Sequence, residues 1–459
     1  MSPEEFRKTG HELVDWIAGY LANPEIYPVL PRIKPGELAQ NLPSCAPEEG
    51  EPIETILEDF RHRILPASTL WNHPGFLAYF ATSSSAPGIL GEMLAAALNS
   101  NGMLWKTSPA ATELEQITLD WLRKWLGLPE GLFGIIYDTA STSTLHAIAA
   151  ARELADPEVR VAGGSRGLVL YTSEQSHSSI EKGAIALGIG QQNVRKIPVD
   201  REFRMETAAL ENAVKSDLAK GLRPFCVVST VGTTSTTSID PTPAIAEIAE
   251  RYGLWLHVDA AYAGTAAILP EYRYILGGAE RADSLVLNPH KWLFTPLDLS
   301  VLYTRRPEIL KRAFSLVPAY LENAEDGRAV NYMDYGVPLG RRFRALKLWF
   351  VMRSFGREGI CRVIRAQIDW ARELATQIDA EPRFERVAPA PLSVVCFRLR
   401  GADQQNRELL DRVNAIGEIF LSHTVLHGRF VLRIAIGNLM TTRAHVQNAW
   451  ELIRALAPP

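Results

Sequence analysis

Cysteine is scarce in this chain: four residues among 459, Cys45, Cys226, Cys361 and Cys396. They lie too far apart for the paired ligands of a structural metal site or for a disulfide framework, so they read as reduced cysteines of a cytoplasmic protein and no metal is expected. Long apolar runs are missing as well. Stretches such as 254–256 and 394–397 fall far short of the roughly 20 residues that a membrane-spanning helix requires. Charge of one sign is missing too, since a net charge of −4 gives no electrostatic case for nucleic acid or an anionic membrane as partner. The first residues, Met1-Ser2-Pro3-Glu4-Glu5, lack the basic and apolar regions of a signal peptide. No internal repeat and no low-complexity tract is present.

What is there reads as a soluble globular protein of ordinary composition, long enough for two or three structural units. Ser2 and Glu5 have capping-box spacing with Pro3 at the first helical position, and Phe6, Leu13, Ile17 and Leu21 then share one helical face that needs a partner surface. Pro28, Pro31, Pro35 and Pro43 mark an extended connection, and a second helix is expected over 53–64. From about residue 85 short apolar runs at 134–137, 168–172, 225–230, 254–258 and 284–287 alternate with helical stretches. One of these, 241–252, has Asp240 as its expected N-cap, Pro241 after it and Gly253 as its stop. The alternation implies an α/β fold, a mostly parallel sheet with helices on both faces. A smaller C-terminal α+β unit follows, with strands expected at 393–399 and 430–436. The expected division is 1–84 as a helical arm, 85–346 as the large domain and 347–459 as the small one.

Two of those runs end in residues suited to carbonyl chemistry. Asn288-Pro289-His290-Lys291-Trp292 follows one, and His257-Val258-Asp259 closes another. A lysine amine forms a Schiff base with an aldehyde cofactor, and pyridoxal phosphate also wants an acidic partner for its ring nitrogen. A random lysine and aspartate would be surface residues, but ligands of open α/β sheets gather beyond the carboxyl ends of strands. Thr139-Ala140-Ser141-Thr142-Ser143 opens a helix after another run, which makes either a phosphate cup or an ordinary cap.

The segments HVDAAYAG (257–264), NPHKW (288–292) and PLGRRFRALK (338–347) resemble the pyridoxal-phosphate-dependent group II amino-acid decarboxylases, above all those acting on aromatic L-amino acids. The likeness runs from the opening helix to AHVQNAWELI (444–453). It implies fold type I, a homodimer built partly by the N-terminal arm, and pyridoxal phosphate held by Lys291 and paired to Asp259. It further implies a phosphate turn at Thr139, Ala140 and Ser141, with Asn288 and His290 beside the lysine. His177 would stack on the cofactor, Ala261 would cover the opposite face and Thr234 would touch it. A lone histidine or a loop threonine is more often structural, and only the resemblance gives these two a role.

The same resemblance makes Tyr320, at the start of a polar stretch 323–328, the proton donor to Cα. The substrate wall would comprise Trp71, Tyr79, Phe80 and Thr82, with Met103 and Leu104 from the other subunit. Aromatic clusters are also ordinary core, a reading that stays open for Phe80. Gly340 points to tolerance of an indole or is a simple turn glycine. The implied activity is decarboxylation of tryptophan, tyrosine, phenylalanine or dihydroxyphenylalanine to the arylalkylamine. The rivals are an aromatic acetaldehyde synthase and a cofactor-binding regulatory protein without turnover.

Overall fold

Apolar and β-branched runs form the strands of a seven-stranded main sheet. In the computed structural model, which describes residues 1–164, 166–316 and 329–458, these are β1 (Phe133–Tyr137), β2 (Leu168–Ser173), β3 (Val194–Ile197), β4 (Arg223–Thr230), β5 (Trp255–Asp259), β6 (Ser284–Leu287) and β7 (Ser300–Thr304). Their spatial order is β1-β7-β6-β5-β4-β2-β3. Only β7 runs against its neighbours, β1 and β6, while the other pairings are parallel. The carboxyl ends of β1, β2, β4, β5 and β6 therefore open on one edge.

Side chains alternate between two apolar layers, as a sheet covered on both faces demands. Val227, Leu285, Leu287, Val301 and Tyr303 enter one core, and Cys226, Val228, Val286 and Leu302 enter the other. A second, antiparallel sheet consists of β8 (Phe384–Arg386), β9 (Val394–Leu399), β10 (Ser422–Leu426) and β11 (Arg429–Ala435) in the order β10-β11-β9-β8. It packs on its own core around Phe384, Phe397, Leu432 and Trp450. The helix Ala345–Ala380 joins the two parts. It breaks at Gly356, where φ is 62°, and its side chains pass from the main core at Ile368 to the small core at Ala371.

The N-terminal segment is sewn to the small sheet before it reaches the main one. Leu77 N–H donates to Phe420 O at 3.0 Å, and Ala435 N–H donates to Leu77 O at 2.8 Å. The opening helix Pro3–Ala22 has its capping box, with Glu5 N–H on Ser2 Oγ and Ser2 N–H on Glu5 Oε2. Its apolar face is only partly covered among the described residues: Leu13, Ile17 and Leu21 are half-buried and Trp16 packs edge-on against Phe60, while Phe6 is 70% exposed. No helix among the described residues is long and apolar enough to cross a membrane.

Strand positions expected from the pattern agree within one or two residues, but four strands carry too weak a signal. β3 reads Val-Arg-Lys-Ile and lies at the sheet edge, where charge is tolerated. β7, β8 and β10 are short, with polar residues at one or both ends. Asp240 is not the N-cap of its helix, which begins at Thr242. Its carboxylate instead accepts N–H bonds from Met205 and Thr230, each 2.8 Å, because the end of β4 and the segment that follows β3 bring two buried donors to it. Replacing Asp240 with Ala orphans both, at about 1–3 kcal/mol apiece. The variant should lose on the order of 2 kcal/mol or more in urea unfolding, and an unchanged midpoint would contradict this accounting.

Candidate active site

Five strand ends deliver their following residues to a single cavity of about 440 Å³. Thr139, Ala140 and Ser141 come from beyond β1, His177 and Ser179 from beyond β2, Gly232, Thr234 and Ser235 from beyond β4, Asp259 and Ala261 from the end of β5, and Asn288, His290 and Lys291 from beyond β6. Trp71, Tyr79, Phe80 and Thr82 close one side. Fourteen expected residues thus meet in one place. Gly232 lets the β4 loop approach, for its φ is 87° and a Cβ there would stand 2.4 Å from Ala263 Cβ.

Lys291 lies in low-dielectric surroundings, and burial is the main cause that lowers its pKa below the lysine range. Asp259 opposes this and Arg433 adds to it. Among the described residues the ammonium makes no ion pair, and the Phe80 ring lies 5.4 Å from Nζ. A buried amine biased toward its neutral form is a nucleophile. Asp259 is buried, and its Oδ1 accepts the Ala261 N–H at 3.1 Å. His177 is open to the cavity on part of its surface, while the surrounding walls lower its pKa through desolvation, with Lys291 and Lys182 acting in the same direction and Asp259 against them. His290 is held neutral, its pKa pushed down to about 3 mainly by burial, and its Nδ1 accepts the Leu299 N–H at 2.9 Å.

Phe80 belongs partly to the framework. Its ring stacks on Tyr262 at 3.8 Å, and Tyr262 stacks on Trp292 at 4.6 Å, which ties the substrate side to the residue following Lys291. Tyr79 is 54% exposed and adopts a left-handed backbone with φ of 50°, a conformation that costs on the order of 1 kcal/mol outside glycine. Two contacts from the small sheet hold it there. Its N–H donates to Ser422 Oγ at 3.2 Å, and its carbonyl accepts from Arg433 Nη1 at 2.5 Å.

Arg433, with Ser422, His423 and Thr424 of β10, was not expected at this cavity. A basic residue in the otherwise apolar run 430–436 is the signal that identifies it, because an inward charge in a strand needs a purpose. Arg433 is 3% exposed and its guanidinium lies 4.7 Å over the Phe80 ring; among the described residues it has no carboxylate partner and its Nη2 has no hydrogen bond.

Three expected residues lie elsewhere in this chain. Met103 and Leu104 pack with Met333, and Gly340 lines a separate cavity of about 80 Å³. They neighbour one another, because Gly102 N–H donates to Arg341 O at 2.8 Å and Met333 N–H to Met103 O at 3.1 Å. Tyr320 lies outside the described residues.

The residues present fit pyridoxal phosphate. Thr139 caps the helix Ala140–Ala155, whose positive end faces the cavity. Asn288 brings a buried amide oxygen that has no partner among the described residues, and a lysine whose pKa burial lowers and a buried carboxylate complete the set. Among the described residues no His, Cys, Asp or Glu cluster could hold a metal.

The electrostatic argument makes opposite predictions for two neighbours of Lys291. Removing the positive charge in Arg433→Gln should raise the pH midpoint for reductive methylation of Lys291 in the cofactor-free protein, and Asp259→Asn should lower it. Peptide mapping across pH checks both, and midpoints that stay put in both variants would contradict the assigned field.

Residues 35–400 match the pyridoxal-dependent decarboxylase conserved domain. The chain is 43% identical to phenylacetaldehyde synthase of Arabidopsis thaliana over 99% of this chain and 96% of that protein. It is 43% identical to aromatic-L-amino-acid decarboxylase of Rattus norvegicus over 100% and 98%. The crystal structure of the Oryza sativa protein with PLP and tryptamine superposes with a TM-score of 0.96 at 38% identity, covering 100% of this chain and 98% of that one. A lysine and an aspartate beyond adjacent parallel strands, in a cavity suited to this cofactor, have the same meaning as the match along the sequence: the chain belongs to the pyridoxal-dependent decarboxylase family.

Proposed function

We propose that the protein decarboxylates aromatic L-amino acids to arylalkylamines as a homodimer. The observation that carries this reading is the single cavity in which Lys291, Asp259 and His177 meet the aromatic wall of Trp71, Tyr79 and Phe80. A relative named aromatic-L-amino-acid decarboxylase supports it. When bound, pyridoxal phosphate supplies an electron sink for the pair left on Cα as carbon dioxide departs. Lys291 holds it, Asp259 keeps a proton on its ring nitrogen, and the turn at Thr139 to Ser141 with Asn288 takes its phosphate. Arg433, a buried guanidinium with no carboxylate partner among the described residues, suits the substrate carboxylate, and Tyr320 returns the proton to Cα.

The dimer is supported by apolar faces left open in one chain, including Leu90, Met93, Leu94 and Leu98 on the helix Ala86–Leu98, and Phe6 on the first helix. Across such an interface the cluster of Met103, Leu104 and Gly340 would complete the partner's substrate wall. Four free thiols fit a reducing cytoplasm.

A product assay with tryptophan, tyrosine, phenylalanine and dihydroxyphenylalanine, supplied with cofactor in air, should yield amine matched to carbon dioxide for at least one of them. Aldehyde, ammonia and peroxide from the unaltered protein would favour the synthase reading, and no product from any substrate a non-catalytic one. Tyr320→Phe keeps the ring and removes the acid, so carbon dioxide release should persist better than amine formation while aldehyde rises. An unchanged amine-to-aldehyde ratio would assign the proton to another group.

A further inference from the structure

His177 is fixed by contacts whose direction can be read. Ser179 N–H donates to His177 Nδ1 at 3.2 Å, and Ser179 Oγ lies 2.8 Å from the same atom. A hydroxyl can donate or accept, but a backbone amide can only donate. A proton on Nδ1 would therefore face the Ser179 N–H head on. His146 gives the opposite case: its Nδ1 lies 2.7 Å from the Thr142 carbonyl and its Nε2 accepts the Val337 N–H at 3.2 Å, so its proton belongs on Nδ1. We infer that Ser179 is a positioning residue that sets the tautomer of His177, placing the proton on Nε2 and turning a hydrogen-bond donor toward the cavity.

The surroundings agree with a neutral ring. The charged groups acting on His177 are Asp259 from β5, Lys291 from the turn after β6 and Lys182 from its own helix, and desolvation with the two ammonium groups outweighs the single carboxylate. Ser179 is 3% exposed and is the first residue of the helix Ser179–Ala186. The ring and its anchor therefore move as one piece, since Ile180 N–H returns to the His177 carbonyl at 3.3 Å. Resting on the decarboxylase reading, the ligand of this donor is the carboxylate of the amino-acid substrate. An Nε2–H cannot take a proton, so His177 orients the carboxylate and does not act as a base through that atom. Protonating Nδ1 at low pH sets its N–H against the Ser179 N–H and turns the hydroxyl from donor to acceptor, so the amide contact holds the His177 titration down while the hydroxyl follows either state.

Long-range 1H–15N spectra of the holoenzyme labelled with 15N-histidine test this directly, with His177 assigned by its loss in His177→Gln. At neutral pH Nδ1 should appear as an unprotonated nitrogen and Nε2 as a protonated one, and the reverse pattern would overturn the inference. This readout needs no turnover, so a protein that makes no amine yet shows this pattern loses the function and keeps the tautomer. Ser179→Ala retains the amide and loses the hydroxyl. The His177 titration should move down by roughly half to one pH unit, because the charge-assisted bond of the hydroxyl to the protonated ring is the stronger one lost, and the acid limb of kcat/KM should move with it. KM for the amino acid should rise roughly 3- to 10-fold, whereas inhibition by the matching arylalkylamine, which lacks the carboxylate, should not change. Ser179→Thr should restore all three. A rate loss with an unmoved titration, or equal weakening of acid and amine, would reduce Ser179 to a packing residue.

Discussion

Parallel pairing is the constraint on which the rest depends. Because β1, β2, β4, β5 and β6 point the same way, the turns that follow them converge on one edge, and each turn has to deliver only one or two side chains there. The reversal at β7, between β1 and β6, seats the turn at Thr139 across from Asn288 and Lys291 without a strand of its own competing for that edge. Burial of the strands on both faces makes the platform stiff, with the alternation of Cys226, Val227 and Val228 between two cores setting the register of β4.

A cavity built this way concentrates charge in a poor solvent. Lys291 and Arg433 share it with Asp259, and the balance of burial, one neighbouring cation and one carboxylate biases the lysine toward its neutral form. Arg433 also holds the strained Tyr79 by its carbonyl and covers Phe80. The small sheet thus does more than cap the site, since one of its side chains joins the electrostatics of the lysine to the shape of the substrate wall. The stack of Phe80, Tyr262 and Trp292 makes a second connection between the same two places.

Lys291 and Asp259 were legible because each follows a short apolar run, and position after a strand is a fold-level property that sequence carries. Thr139 was legible as a helix start, although its resemblance to a phosphate turn, not its chemistry alone, separated it from an ordinary cap. Arg433 was not, since a lone charge in a strand shows nothing of which way it faces until the small sheet is laid against residues 75–79. Ser422 and Thr424 escaped for a related reason: β10 is a short strand with polar neighbours. Met103, Leu104 and Gly340 do not reach the cavity in one chain, and Asp240 was misread because a capping residue and a strand-end acceptor have the same sequence appearance.

The central claim is that Lys291, opposite Asp259, is the residue to which pyridoxal phosphate is bound. Borohydride reduction of the holoenzyme followed by peptide mapping tests it most directly. The cofactor should be found on the peptide carrying Asn288-Pro289-His290-Lys291-Trp292 and on no other. Recovery of the label on a different lysine, or a spread over surface lysines, would contradict the site described.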